Sequence, residues 1–140
     1  MILSVDPGDT TGVAIFDDKG FLVQRGQYDF NSLIDMLATY WRGMDTILVE
    51  DYRLRKGKQA AQTGSRFQAV QIIGALKYHA HIRGAELILV DVQAKTLGSM
   101  YSGIKPPSNH KMSHEIDAQN IGVYWLVKEN IIEPPALKDI

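Results

Sequence analysis

Three carboxylates occupy positions on which chemistry could be built. Asp6 follows the apolar run Ile2-Leu3-Ser4-Val5 and precedes Pro7-Gly8. Glu50 closes the run Thr46-Ile47-Leu48-Val49. Asp117 lies in Ser113-His114-Glu115-Ile116-Asp117-Ala118, three residues after His114, a spacing that puts both on one helix face. An ionised carboxylate at the end of an apolar strand needs a partner, and a divalent cation is one. Magnesium takes hard oxygen ligands. Two such ions, about 3.5–4 Å apart, can activate a water and steady the leaving oxygen of a phosphodiester. Taken singly, each residue has an ordinary explanation. Asp6 would be a solvated strand end, Asp117 an acid favoured by a helix N-terminus, and His114 a surface residue near a cap. Glu115 is expected to face solvent. The combination, in this chain order, carries the metal-site reading.

Positive charge is concentrated elsewhere. Arg53, Arg55, Lys56, Lys58 and Arg66 follow the Glu50 run with no acid among them, although the net charge is only -1. Asp6, Asp9, Asp17 and Asp18 crowd the first part of the chain. A basic patch beside an acidic pocket suits an enzyme that grips phosphates and holds metal ions. Lys105, His110 and Lys111 would make a second DNA-contacting loop. Tyr52 could stack on an opened base. Phe67 fits core packing better.

The elements that must position these groups follow from hydrophobic pattern and turn chemistry. Strands are expected at Ile2–Val5, Thr11–Phe16 and Phe21–Tyr28, joined by the turns Asp6-Pro7-Gly8-Asp9 and Asp17-Asp18-Lys19-Gly20. A helix over Asn31–Trp41 has Asn31 or Asp29 as its cap. Continuous apolar character marks Thr46–Glu50 and Glu86–Val90 as buried strands. A long helix should run from Gln59 to about Arg83, and a short one over Gln93–Met100. A loop over Ser102–Met112 holds Pro106-Pro107. Ser113 is expected to cap a last helix reaching about Asn130, before Pro134-Pro135. The resulting architecture is an α/β fold with a mixed five-stranded sheet, an antiparallel meander plus parallel strands, flanked by helices. Ligands gather at the carboxyl ends of the strands in such sheets.

A chain of 140 residues fits one domain over 1–140. The absence of cysteine excludes disulfides, thiolate metal sites and a cysteine nucleophile. No apolar run approaches the ~20 residues that span a bilayer. The N-terminus lacks the basic start of a signal peptide, so a cytoplasmic location is expected, with no membrane partner.

Several segments resemble the RuvC family of Holliday junction resolvases. Asp6-Pro7-Gly8 with Thr11-Gly12-Val13-Ala14 resembles its first motif, and Val49-Glu50 its second acidic motif. Val90-Asp91-Val92-Gln93-Ala94-Lys95 is similar to its lysine-bearing stretch, and His114-Glu115-Ile116-Asp117-Ala118 to its last motif. The resemblance spans nearly the whole chain. It implies a ribonuclease H-like fold, a homodimer, and two-metal hydrolysis of DNA at a four-way junction. Nicks would carry 5′-phosphate and 3′-hydroxyl ends. Carried over by motif, Asp6, Glu50, His114 and Asp117 would be catalytic and bind Mg²⁺, two ions per site, with Mn²⁺ a possible substitute. Asp6 would bridge the ions, and Lys95 would sit near the scissile phosphate. The helix from Gln59, with Gly64, Ala69 and Gly74, would form the dimer.

The stretch from Thr96 to Ser113 is shorter than in typical cellular members, which carry an extra helix there. Compact members are familiar from bacteriophages, which implies a viral source, a host cytoplasm, and forks or flaps among the branched substrates. Two other classes compete. An actin-like or sugar-kinase-like module would cradle nucleotide phosphates on Asp6-Pro7-Gly8-Asp9-Thr10-Thr11-Gly12, but leaves His114 and Asp117 unexplained. A non-catalytic branched-DNA-binding protein has no reason to gather acids against phosphates. A nuclease acting on RNA–DNA hybrids stays open.

Overall fold

The computed structural model describes residues 1–51, 65–107 and 112–135. Three strands open the chain: β1 (Ile2–Asp6), β2 (Thr11–Phe16) and β3 (Leu22–Tyr28). They form the expected meander, with β1 and β3 each antiparallel to β2. The β2–β3 turn is held by Asp17, whose Oδ1 accepts the amides of Lys19 and Phe21, while Gly20 takes φ +89°. Helix α1 (Phe30–Tyr40) follows. Asp29 is its capping side chain, accepting the Ser32 amide at 2.8 Å.

The second half alternates strands and helices. It contains β4 (Thr46–Glu50), α2 (Ser65–Arg83 as described), β5 (Glu86–Val90), α3 (Ala94–Ser102) and α4 (Ser113–Lys128). Strand β4 runs parallel to both β1 and β5, so the sheet order is β3-β2-β1-β4-β5. The expected start of the long helix, from Gln59 to Gly64, lies outside the described residues. No described helix is long and apolar enough to cross a membrane.

Period-two alternation divides the strands between two cores. Leu3 and Val5 of β1, with Ile47 and Val49 of β4, pack with Leu33 and Leu37 of α1 and Ile72 and Leu76 of α2. Ile2 and Leu48 point the other way, toward Ala118, Ile121 and Leu126 of α4 and Ala94 of α3. Ser4 shares that second face and donates its hydroxyl to the Ala118 carbonyl at 2.6 Å. Continuing the alternation, Asp6 and Glu50 fall on this same face. They lie one residue beyond the registered pair Val5–Val49.

Helix α4 begins differently from expectation. Ser113 is its first helical residue and Met112 takes the cap position, in the left-handed conformation at φ 62°. The helix amide that needs an acceptor there finds one on another element. Gln27 Oε1 of β3 accepts the His114 amide at 3.1 Å. The opposite end stops at Lys128, with Asn130 left-handed and the Ile131 amide returning to the Leu126 carbonyl.

Two glycines set how closely α4 approaches its neighbours. A Cβ on Gly12, the register partner of Asp6, would overlap the carbonyl of His114. A Cβ on Gly98 of α3 would overlap the carbonyl of Asn120. Both contacts are to backbone, which cannot rotate aside. Gly12→Ala should therefore push the first turn of α4 off β2. Urea denaturation is expected to show a loss of about 1–3 kcal/mol. A variant as stable as the wild type would contradict this close approach.

Candidate active site

The first carboxylate is placed by strand β1 and the second by β4. Both are nearly inaccessible, Asp6 at 3% and Glu50 at 4% exposure. Asp117 enters from the first turns of α4, partly exposed. His114 stands one turn earlier, its Nδ1 3.4 Å from Asp6 Oδ2. The turn at Asp91 starts α3, since its Oδ1 accepts the Gln93 amide and its carbonyl the Ala94 amide. That turn delivers Lys95 into the middle of the acids. Lys95 Nζ lies 3.2 Å from Asp6 Oδ1, 3.1 Å from Glu50 Oε2 and 4.0 Å from Asp117 Oδ2. The fold thus brings together all five residues singled out as catalytic: Asp6, Glu50, Lys95, His114 and Asp117.

The electrostatics are strained. Asp6 Oδ1 and Glu50 Oε2 are buried and are compensated by the Lys95 ammonium, which stands close to both. One ammonium faces three carboxylates, so ionising all three would leave negative charge in excess. The titrations respond accordingly. Burial pushes Glu50 up to about 7, against the pull of Lys95, and the neighbouring Asp6 adds to the rise. Burial also raises Asp117, helped by Asp6 and opposed by Lys95 and His114. His114 is raised chiefly by its hydrogen bond to Asp6.

This donor set suits a hard cation. Carboxylate oxygens are the ligands magnesium prefers, and two buried ones here meet only the ammonium of Lys95. Among the described residues, no three acids or histidines already close on a common point as a metal cage. The Lys95 ammonium stands between them instead.

The other expected site residues divide. Lys105 is exposed beside the site, and lines a groove with Lys95 and Asp117. Tyr52, Arg53, Arg55, Lys56, Lys58, His110 and Lys111 lie outside the described residues, as do the side chains of Arg66 and Phe67. Glu115 does not face solvent. It is buried, with its Oε2 3.7 Å from Arg25 Nε of β3. Sequence reasoning missed Arg25 and Gln27, which hold the start of α4 from the sheet. Arg25 Nη1 also donates to Gln119 Oε1 at 2.8 Å. The available signal was the polar alternation Arg25, Gln27 on β3, whose register partners Ala14 and Gly12 face α4.

The raised groups predict how stability changes with pH in EDTA. Glu50, Asp117 and His114 each hold a proton more tightly folded than unfolded. For Glu50 the contribution is complete below the ordinary value of 4.5 and is lost as pH rises through about 7. Urea midpoints should fall between pH 5 and pH 8. Glu50→Gln should flatten much of that fall, and an unchanged slope would show that Glu50 does not govern it.

No protein-family model matches the sequence, and no curated protein matches it significantly. Solved structures do. A structure of RuvC from T. thermophilus in complex with a Holliday junction substrate matches with a TM-score of 0.62 at 14% identity. The match covers 95% of this chain and 98% of that one. A second Thermus thermophilus RuvC structure matches with a TM-score of 0.59 at 17% identity, with the same coverage. At these identities the likeness is one of fold. The chain has the ribonuclease H-like, RuvC-type fold.

Proposed function

We propose that this protein is a divalent-metal-dependent endonuclease that nicks four-way junctions or other branched DNA. The observation that carries the proposal is the set of three carboxylates converging on one cationic position at the carboxyl ends of β1 and β4. The fold supports it, since the matching RuvC structure was solved with a Holliday junction substrate.

Asp6, Glu50, Asp117 and His114 are the residues that would hold Mg²⁺, two ions in this reading, or Mn²⁺ in its place. Bound ions would make an attacking water hydroxide-like and offset charge on the phosphate in the transition state. The chain's own groups do the rest. Asp6 anchors the site, because it meets both Lys95 and His114. His114 would ligate the second ion or orient the attacking water. Lys95 offsets the carboxylates and, being partly exposed, would neutralise a phosphate that enters. Arg53, Arg55, Lys56, Lys58 and Arg66 supply backbone contacts in the basic segment after Glu50, with Tyr52 as a stacking group.

A homodimer through α2 belongs to the same proposal. Val70, Tyr78 and Ile82 are exposed at four- and eight-residue intervals along one face of α2. Gly74 falls on that face, and a Cβ there would meet nothing. Ala69, expected on the dimer face, is instead buried within the chain. Viral origin and a cytoplasmic setting remain part of the proposed reading.

The test is a matched panel of four-way junction, three-way junction, flap, duplex and RNA–DNA hybrid, cut in Mg²⁺ and in EDTA. Paired symmetric nicks in the four-way junction are expected from a dimer that Ile82→Glu dissociates. Asp6→Asn should reduce the cleavage rate by at least about 10²-fold while retaining junction binding. Undiminished cleavage by Asp6→Asn would sink the assignment.

A further inference from the structure

The active site opens at one end into a groove. Lys95 and Thr96 leave the first turn of α3, and Ser99 and Met100 follow one turn later along the same bank. Lys105 and Pro106 form the facing bank. The groove has a volume of about 570 Å³, and Asp117 lines it together with Lys95. It is therefore continuous with the carboxylate cluster.

The second bank is held by a buried polar network that the metal site does not need. Asn120 of α4, 1% exposed, donates from Nδ2 to the Ile104 carbonyl at 3.0 Å. Its Oδ1 accepts the Ser102 hydroxyl at 2.7 Å. Ser102 Oγ in turn accepts the Ile104 amide at 3.0 Å, and the Ser99 hydroxyl donates to the Ile104 carbonyl at 2.8 Å. Gly103 reverses the chain at φ 75°, and its amide caps the Ser99 carbonyl. A buried asparagine satisfied in this way fixes one backbone path. That path holds Lys105 and Pro106 opposite Met100.

The chemistry of the two banks is mixed in a specific way. Met100 is 68% exposed although apolar, and Pro106 is exposed opposite it. Lys105 adds an exposed cation, and Thr96 a hydroxyl. An apolar face beside a cation fits a nucleotide, which offers a base or sugar to the one and a phosphate to the other. The volume lies within the range of ligand sites, about 300–1,000 Å³.

We infer that this groove is the subsite for the nucleotide next to the scissile phosphate. Lys105 contacts the flanking phosphate, and Met100 with Pro106 packs against the base. Asn120 is a positioning residue for the Lys105 bank. The inference rests on the nuclease reading above and adds the residues that read the strand beside the cut.

The experiment uses full-length protein and four-way junctions in Ca²⁺. Each phosphate flanking the mapped cut is replaced in turn by a neutral methylphosphonate. Lys105→Ala should weaken binding by about 3–10-fold and reduce the salt slope by about one. One methylphosphonate beside the cut should weaken the wild type by a similar factor and leave Lys105→Ala unaffected. Met100→Ala should lose about fivefold in affinity, and an abasic site at that same nucleotide should remove the difference. Both side chains are exposed, and equal melting temperatures would confirm that the variants fold. If the wild type cuts the junction but every methylphosphonate weakens Lys105→Ala as much as the wild type, the groove assignment falls and the nuclease stands. A wild type that neither binds nor cuts branched DNA overturns both.

Discussion

Two carboxylates buried side by side are the constraint around which this molecule is arranged. Asp6 and Glu50 end adjacent parallel strands, on the same face, at almost complete burial. Desolvating one such ion costs several kcal/mol, and a like-charged neighbour raises that cost. Charge compensation must come from groups brought over the strand ends. Lys95 arrives on α3 from the Asp91 turn, and His114 on α4. Gly12 lets the first turn of α4 close on β2, and Gly98 lets α3 close on α4. The expense at the site is offset by cores on both sheet faces, which hold the strands in register.

The compensation is incomplete, and the proposed metal site rests on that incompleteness. An ammonium stands among three carboxylates, yet one positive charge cannot balance three negative ones. Burial, with Asp6 beside it, pushes Glu50 up to about 7. A site designed only for stability would use apolar residues at these positions. The proposed divalent cation would supply the higher positive charge that such a site calls for.

Much of this arrangement was legible in the sequence, for local reasons. Apolar runs bounded by Pro-Gly and Asp-Lys-Gly turns locate the strands and put Asp6 and Glu50 at strand ends, while the β1–β4 register that sets them on one face is seen only in the fold. The three-residue spacing of His114 and Asp117 puts them on one side of α4. What escaped depends on contacts between distant elements. Ser113 looks like a cap in isolation, but the acceptor for the His114 amide is Gln27, 87 residues earlier. Glu115 looks solvent-facing until Arg25 of β3 stands over it. Ala69 looks like a dimer-face residue but is buried within the chain. The network around Asn120 has no local signature, because its partners come from the end of α3 and the segment beyond it.

The central claim is that Asp6 and Glu50 are buried together in order to bind divalent metal. Calorimetric titration of Mn²⁺ into metal-free protein near pH 7.5 tests it most directly. The account predicts saturable binding that Asp6→Asn abolishes, Glu50→Gln weakens by at least about tenfold, and added Mg²⁺ competes away. Absence of binding to the wild type, or equal binding by Asp6→Asn, would contradict it.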